Sequence, residues 1–210
     1  MAEGTGPKPR TRAENAANVI DQVRALGLKL NDSSRLIRMK RVLDRGYIAP
    51  EDPDFPIALE SMRDQQHVGF AFDQMRAHGD NPRFREVVRR LLKDSALPQM
   101  DREESPGRDA QLEVYLAALC QSAGMVPVDL EEPDITCHAE GVKFGIAAKR
   151  LKSLDQVRKH VKKAADQVSK SGLPGIVVLD LSLAWNRENL PITSGIMSQL
   201  YEMTADRVST

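Results

Sequence analysis

A chain of 210 residues has room for one ordinary domain or two small ones. Hydrophobic residues make up 41% and charged residues 29%, which excludes a disordered or membrane-embedded chain, and 30 Lys plus Arg against 30 Asp plus Glu leave no net charge, so any surface that attracts a polyanion must be local. With one Trp, three Tyr and five Phe, a row of aromatics on which to stack single-stranded bases is poorly supplied.

Residues 1–12 are polar, hold Gly and Pro, and predict a flexible start without the apolar core of a signal peptide. Residues 13–97 read as a helical domain, because apolar positions recur three and four apart between turn residues. The first helix covers about 13–26 and stops at Gly27. The second follows Asn31, Asp32 and Ser33 and ends near Gly46. After a connector with Pro50, Pro53 and Pro56, a third helix carries Ile57, Leu59, Met62, Val68, Phe70, Phe72 and Met75. A fourth runs from Pro82 to Leu97. Such a bundle offers a surface for a second copy of the chain or for another protein.

Residues 98–107 are charged, hold two prolines and a glycine, and show no periodicity, which predicts a linker. The second unit, 108–210, opens with a helix over 109–123, then a short strand over 126–130. Two strand-like runs, 133–139 and 142–149, flank Glu140 and Gly141, the signature of a β-hairpin with a two-residue loop. A helix over 153–171 follows, with Val157, Val161, Ala164, Ala165 and Val168 on one face. The apolar run 175–181 predicts a central strand covered on both faces. A last helix is expected within 192–207. The order implies an α/β fold. No apolar run is long enough to span a membrane, and Cys120 and Cys137, both in apolar or strand-like stretches, predict reduced thiols and a cytoplasmic setting.

The helix after the linker is nearly all apolar from Leu112 to Cys120, and the exception is Glu113. A lone carboxylate on a buried stripe is costly unless a cation or hydrogen-bond donor meets it, so its presence points to a site. The plain alternative is that Glu113 lies at the stripe's edge and reaches water. Counting outward from the hairpin loop sets Asp134 opposite Ala147. Alternation then puts Asp134, Thr136 and His138 on one face with Lys143, Gly145, Ala147 and Lys149, while Ile135, Cys137, Phe144, Ile146 and Ala148 point to the other. Lys149 is a diagonal neighbour of Asp134, close enough to share a substrate group with it.

These residues resemble the PD-(D/E)xK nuclease superfamily, which includes restriction and repair nucleases. The resemblance covers about 108–182: Glu113 in the opening helix, Pro133 and Asp134 at the second strand, and Ala147, Ala148, Lys149 and Arg150 at the third. It implies a restriction-endonuclease-like αβββαβ core with a mixed sheet. It also implies that Asp134 is a metal ligand, with Glu113 as accessory ligand, the main-chain carbonyl of Ala148 as a third, and Lys149 steadying the attacking water. Gln167 is similar to a glutamine that some branches place on the next helix. The family's second acid would stand at position 147, where this chain has alanine. An acid that has migrated to the helix, a degenerate domain and an engineered inactive variant all remain open. Mg²⁺ needs only one or two protein carboxylates, so Glu113 with Asp134 would suffice for Mg²⁺ or Mn²⁺.

Charge is segregated along this unit. Residues 142–170 hold nine cations (Lys143, Lys149, Arg150, Lys152, Arg158, Lys159, Lys162, Lys163 and Lys170) against Asp155 and Asp166, an excess of seven suited to phosphates. Lys143, Arg150, Lys152 and Gln167 are the expected nucleic-acid contacts, whereas Lys159, Lys162 and Lys163 equally suit the solvated face of an amphipathic helix. His138 and His160 have no paired zinc spacing and read as surface histidines. The reading is a metal-dependent nuclease that hydrolyses DNA in restriction, anti-phage defence or repair. Its rival is a catalytically degenerate nuclease fold that binds nucleic acid or assembles with protein.

Overall fold

The computed structural model describes residues 11–97 and 105–185. Of the flexible start expected over 1–12, residues 1–10 lie outside the described residues, whereas Thr11 caps a helix that begins at Arg12; most of the expected linker and the helix expected within 192–207 also lie outside them. Four helices come first: α1 (Arg12–Ala25), α2 (Arg35–Asp44), α3 (Phe55–Gln74) and α4 (Pro82–Leu91). Their starts follow local chemistry. Thr11 and Glu14 form a capping box on α1, and the Asn81 side chain accepts from the Arg83 and Phe84 amides ahead of Pro82 on α4.

Two boundaries differ from expectation for one reason. α4 stops at Leu91 rather than 97, and α5 (Pro106–Ser122) begins inside the expected linker. Between them Asp94 adopts φ 80°, and its carboxylate accepts from the Arg108 backbone N–H at 2.7 Å. The Ser95 and Ala96 carbonyls accept from Arg108 Nη2 at 3.1 and 3.0 Å. The left-handed Asp94 breaks the run of α4, and its carboxylate caps the first turn of α5.

α5 packs against α3 and α4 on one side and against three strands on the other. That explains its nearly unbroken apolar stretch, since a helix with neighbours all round has no polar face to spare. One hydrophobic cluster runs from Ala16 and Val19 on α1 through Val87 and Leu91 on α4 and Val114 on α5 to Ile135 and Ile146 in the sheet. The helical segment and the α/β segment therefore share a core.

A charged cluster is buried where they meet. Arg35, Glu60, Asp64, Arg108 and Gln111 are each at most 2% exposed. Arg35 Nη1 lies 3.3 Å from Asp64 and its Nη2 donates to Gln111 Oε1 at 2.8 Å. Gln111 donates on to Asp64 at 3.0 Å, and Arg108 pairs with Glu60 and stands 3.6 Å from Asp64. Burial raises the Asp64 carboxyl's pKa, but Arg35 and Arg108 outweigh it and hold the group below its ordinary value.

The sheet has order β1-β2-β3-β4, with β1 (Val128–Asp129), β2 (Ile135–Ala139) and β3 (Val142–Arg150) antiparallel and β4 (Gly175–Asp180) parallel to β3. It is an open mixed sheet in an α/β fold with seven α-helices among the described residues. The hairpin turns at Glu140 (φ 50°) and Gly141 (φ 79°), the double left-handed geometry of a type I′ loop. The register pairs Ala139 with Val142 and Ile135 with Ile146, as counting from the loop requires. A 3₁₀ turn (Leu154–Gln156) leads into α6 (Val157–Ser171), which packs on β3 and β4, and α7 (Ser182–Trp185) follows β4.

Two expectations about this half are corrected. The apolar run 175–181, expected as a central strand covered on both faces, forms β4, which is the edge of the sheet among the described residues, and Ile176 is 56% exposed. Unbroken hydrophobicity marks a strand, but its place in the sheet depends on pairings that periodicity does not encode. The buried face of α6 is also narrower than its pattern suggests, because Ala164 is buried whereas Val161 and Ala165 are exposed. No helix among the described residues is long and apolar enough to cross a membrane.

Two outcomes are expected. Asp64→Ala leaves two buried guanidiniums short of a counter-charge and should cost about 3–5 kcal/mol, read by urea denaturation. His67, half-buried and stacked on Tyr115 at 4.3 Å between α3 and α5, has its pKa lowered by burial and then by Arg63. A histidine with a lowered folded pKa favours the neutral form, so its contribution is intact above the ordinary value near 6.5 and is lost as pH falls through the folded value. His67→Phe should flatten the stability–pH curve between the ordinary value near 6.5 and the lowered folded value.

Candidate active site

The sheet and α5 bring the predicted acid and lysine together. Asp134 immediately precedes β2, so the hairpin register sets it across from Ala147 on β3. Its Oδ2 accepts from the Ala148 backbone N–H at 2.8 Å and from Lys149 Nζ at 3.0 Å. Both side chains are 17% exposed, a desolvated pair still open to solvent. Asp134 Oδ1 accepts no hydrogen bond among the described residues.

Glu113 is buried, 8% exposed, and does not reach solvent at the stripe's edge. Its waiting partner is Arg90 on α4, whose Nη2 donates to Oε2 at 2.7 Å. Burial raises the Glu113 carboxyl's pKa against the opposing pull of Arg90, and the Asp134 charge raises it further. The two carboxylates are thus close enough to feel each other, although Glu113 is turned toward Arg90. Asp109, one turn earlier on the same face of α5, is also raised by burial, with Arg150 and Lys149 opposing; it keeps contact with water, which screens the effect. Neither Arg90 nor Asp109 was singled out from sequence. Helical spacing from Glu113 marks Asp109, but no local signal links Arg90 to an acid on another helix.

The remaining predicted residues have these surroundings. Ala147 is fully buried, so a side chain at this position lies within packed structure rather than at an open cleft. Ala148 addresses Asp134 through its N–H. Arg150, 5% exposed in its side chain, pairs with Asp180 at 2.6 Å. Lys143 pairs with Glu131 at 2.7 Å, Gln167 Nε2 donates to the Pro133 carbonyl at 3.2 Å, and Lys152 is half-buried and engaged. Each of these four side chains therefore has a partner within the protein, although the Lys143–Glu131 pair stays exposed. Gln167 instead ties α6 to the residue before Asp134, and its Oε1 is buried without a partner. Cys120 and Cys137 are buried free thiols, with Cys120 pushed up to about 12 by burial and by its neighbour Cys137.

Among the described residues no three or more His, Cys, Asp or Glu side chains converge to hold a metal ion. Two concavities, of about 380 and 580 Å³, lie in the helical segment and are lined by neither Glu113, Asp134 nor Lys149. The chemistry-bearing pair lies outside them, so the site is assigned from its charge arrangement rather than its volume. Comparison with known proteins found no matching family model, no similar curated protein and no similar solved structure.

Close backbone approach holds this arrangement in place. A Cβ on Gly145 would stand 2.9 Å from Pro133 Cδ, and one on Gly175 would stand 2.2 Å from the Gly145 carbonyl oxygen. Gly145→Ala should push Pro133 and with it Asp134 away from β3, costing about 1–3 kcal/mol in thermal or urea unfolding.

Proposed function

We propose that the chain is a metal-dependent deoxyribonuclease of the PD-(D/E)xK type. The observation that carries this reading is the Asp134 carboxylate, with one oxygen held by the Ala148 amide and Lys149 and the other left open. The αβββαβ order of 106–180 supports the same reading. Asp134 would hold Mg²⁺ or Mn²⁺ with the Ala148 carbonyl, and Glu113 would join once Arg90 gives up its share of that carboxylate. The ion would act as Lewis acid on the scissile phosphate and lower the pKa of bound water. Lys149, kept in place by Asp134, would hold the attacking water and stabilise charge that develops on the phosphate. Arg90 neutralises Glu113 while no cation is bound, so the cost of the buried acid is met in the resting protein. A cytoplasmic setting and a role in restriction, anti-phage defence or repair belong to this proposal.

A second reading has its own observations: Ala147 is fully buried and Glu113 already has a counter-ion. These favour a fold that has kept its architecture, has lost cleavage, and binds nucleic acid or protein. The test is incubation of plasmid and linear DNA with Mg²⁺ or Mn²⁺, with chelator controls. Metal-dependent cleavage is expected, falling roughly 100-fold or more in Lys149→Ala and in Asp134→Asn. Retained DNA binding without cleavage by the unmutated chain would establish the binding module instead. Unchanged cleavage in Lys149→Ala would remove the lysine from the mechanism.

A further inference from the structure

The cations of 142–170 divide into two groups. Those on β3 and just after it are engaged, as described above. Arg158, Lys159, Lys162, Lys163 and Lys170 stand exposed on α6, and their side chains make no ion pair or hydrogen bond among the described residues. Asp166 is the one acid on that helix. Lys159, Lys163 and Lys170 are four and seven residues apart, which places them along one stripe, with Lys162 beside it and Arg158 a turn before Lys162. From Arg158 to Lys170 the ridge extends about 18 Å at 1.5 Å per residue. Unpaired like charges at this spacing repel one another and weaken the helix. A polyanion laid along them removes that cost.

The helix that carries the ridge on its outer side packs beside the candidate site. α6 runs along β3 on the side where Gln167 reaches Pro133 and where a Cβ on Gly145 would meet Ser171. Its first turns approach the far end of β3: burial lowers the pKa of His160, and the charges of Lys159, Lys163 and Lys149 lower it further. The ridge cations and the Asp134–Lys149 pair therefore share one electrostatic neighbourhood.

We propose that the exposed ridge of α6, formed by Arg158, Lys159, Lys162, Lys163 and Lys170, is the docking surface for the phosphate backbone of duplex DNA. It would lay one strand along α6 toward the Asp134–Lys149 pair. Charge complementarity selects a polyanion, because duplex DNA presents one negative charge per roughly 1.7 Å of axis. The duplex form follows from the lack of stacking surface: α6 carries no Phe, Tyr or Trp, and the strongly exposed aromatic among the described residues, Tyr47, lies between α2 and α3. A membrane surface is disfavoured, since the helix spends Ala164 and Val168 on the sheet rather than keeping a wide apolar face for lipid. The choice of DNA rests on the nuclease reading, whereas docking itself requires no cleavage.

The test measures binding of a short fluorescein-labelled DNA duplex to the full chain by anisotropy, with chelator present and across a series of salt concentrations. Lys159→Glu/Lys162→Glu/Lys163→Glu should lose about tenfold or more in affinity, and the slope of log affinity against log salt should shrink by about 0.9 for each phosphate contact removed. The matched control, Arg24→Glu/Arg41→Glu/Arg76→Glu on the helical segment, should stay within about threefold, since long-range charge on a distant exposed surface is screened. Arginine at the same three lysine positions should keep both affinity and slope, which separates lost charge from a disturbed helix. Equal losses in the ridge and control variants would overturn the assignment, as would tighter binding to phosphatidylserine vesicles or to a duplex RNA than to duplex DNA. Intact ridge-dependent binding without metal-dependent cleavage would sink the nuclease reading and leave the ridge standing.

Discussion

The architecture depends on how α5 meets the cost of burying charge. Arg108 and Gln111 sit at the start of a helix enclosed by α3, α4 and the sheet, where an unpaired guanidinium is not tolerated. Glu60 and Asp64 on α3 supply the counter-charges, and Arg35 on α2 shares Asp64 with Arg108. Two cations and two anions with a bridging amide make a balanced set, so the cluster adds orientation more than net attraction. It fixes the rotation of α5 about its own axis, which in turn decides where every other α5 side chain points.

That rotation carries Glu113 to Arg90 and toward Asp134, and sets Cys120 against Cys137. From the opposite face of the sheet, α6 uses Gln167 to brace Pro133, while Gly145 and Gly175 let the backbones approach. Asp134 is thus held from three directions: by the hairpin register, by the Ala148 amide and Lys149 on β3, and by a helix fastening the residue before it. The positioning is strong for a loop residue ahead of a five-residue strand. It gives the open carboxylate oxygen a defined direction.

Local rules made much of this legible in the sequence. The Glu140–Gly141 loop determined the β2–β3 register residue by residue, and with it the Asp134–Lys149 contact, because a two-residue turn leaves no freedom in pairing. The all-round hydrophobicity of α5 correctly marked Glu113 as buried. Information that lives between distant segments was not legible. Arg90 lies 23 positions from Glu113, and nothing in either neighbourhood names the other. The edge position of β4 among the described residues follows from which strands pair, and the occlusion of Ala147 from what covers the sheet, neither from alternation within a strand. The commitment of Arg150 to Asp180 was hidden for the same reason, although the parallel pairing that makes them neighbours is plain once β3 and β4 are set side by side.

The shared core around α5 also bears on descent. A recombination event that joined 105–185 to an unrelated leader would strand Arg108 and Glu113 without counter-ions and bare the side of α5 that now faces α3 and α4. Few foreign leaders would offer carboxylates and an arginine at the required places. The helical segment and the sheet therefore complete each other: one supplies the counter-ions and the cover that the other's shared helix requires.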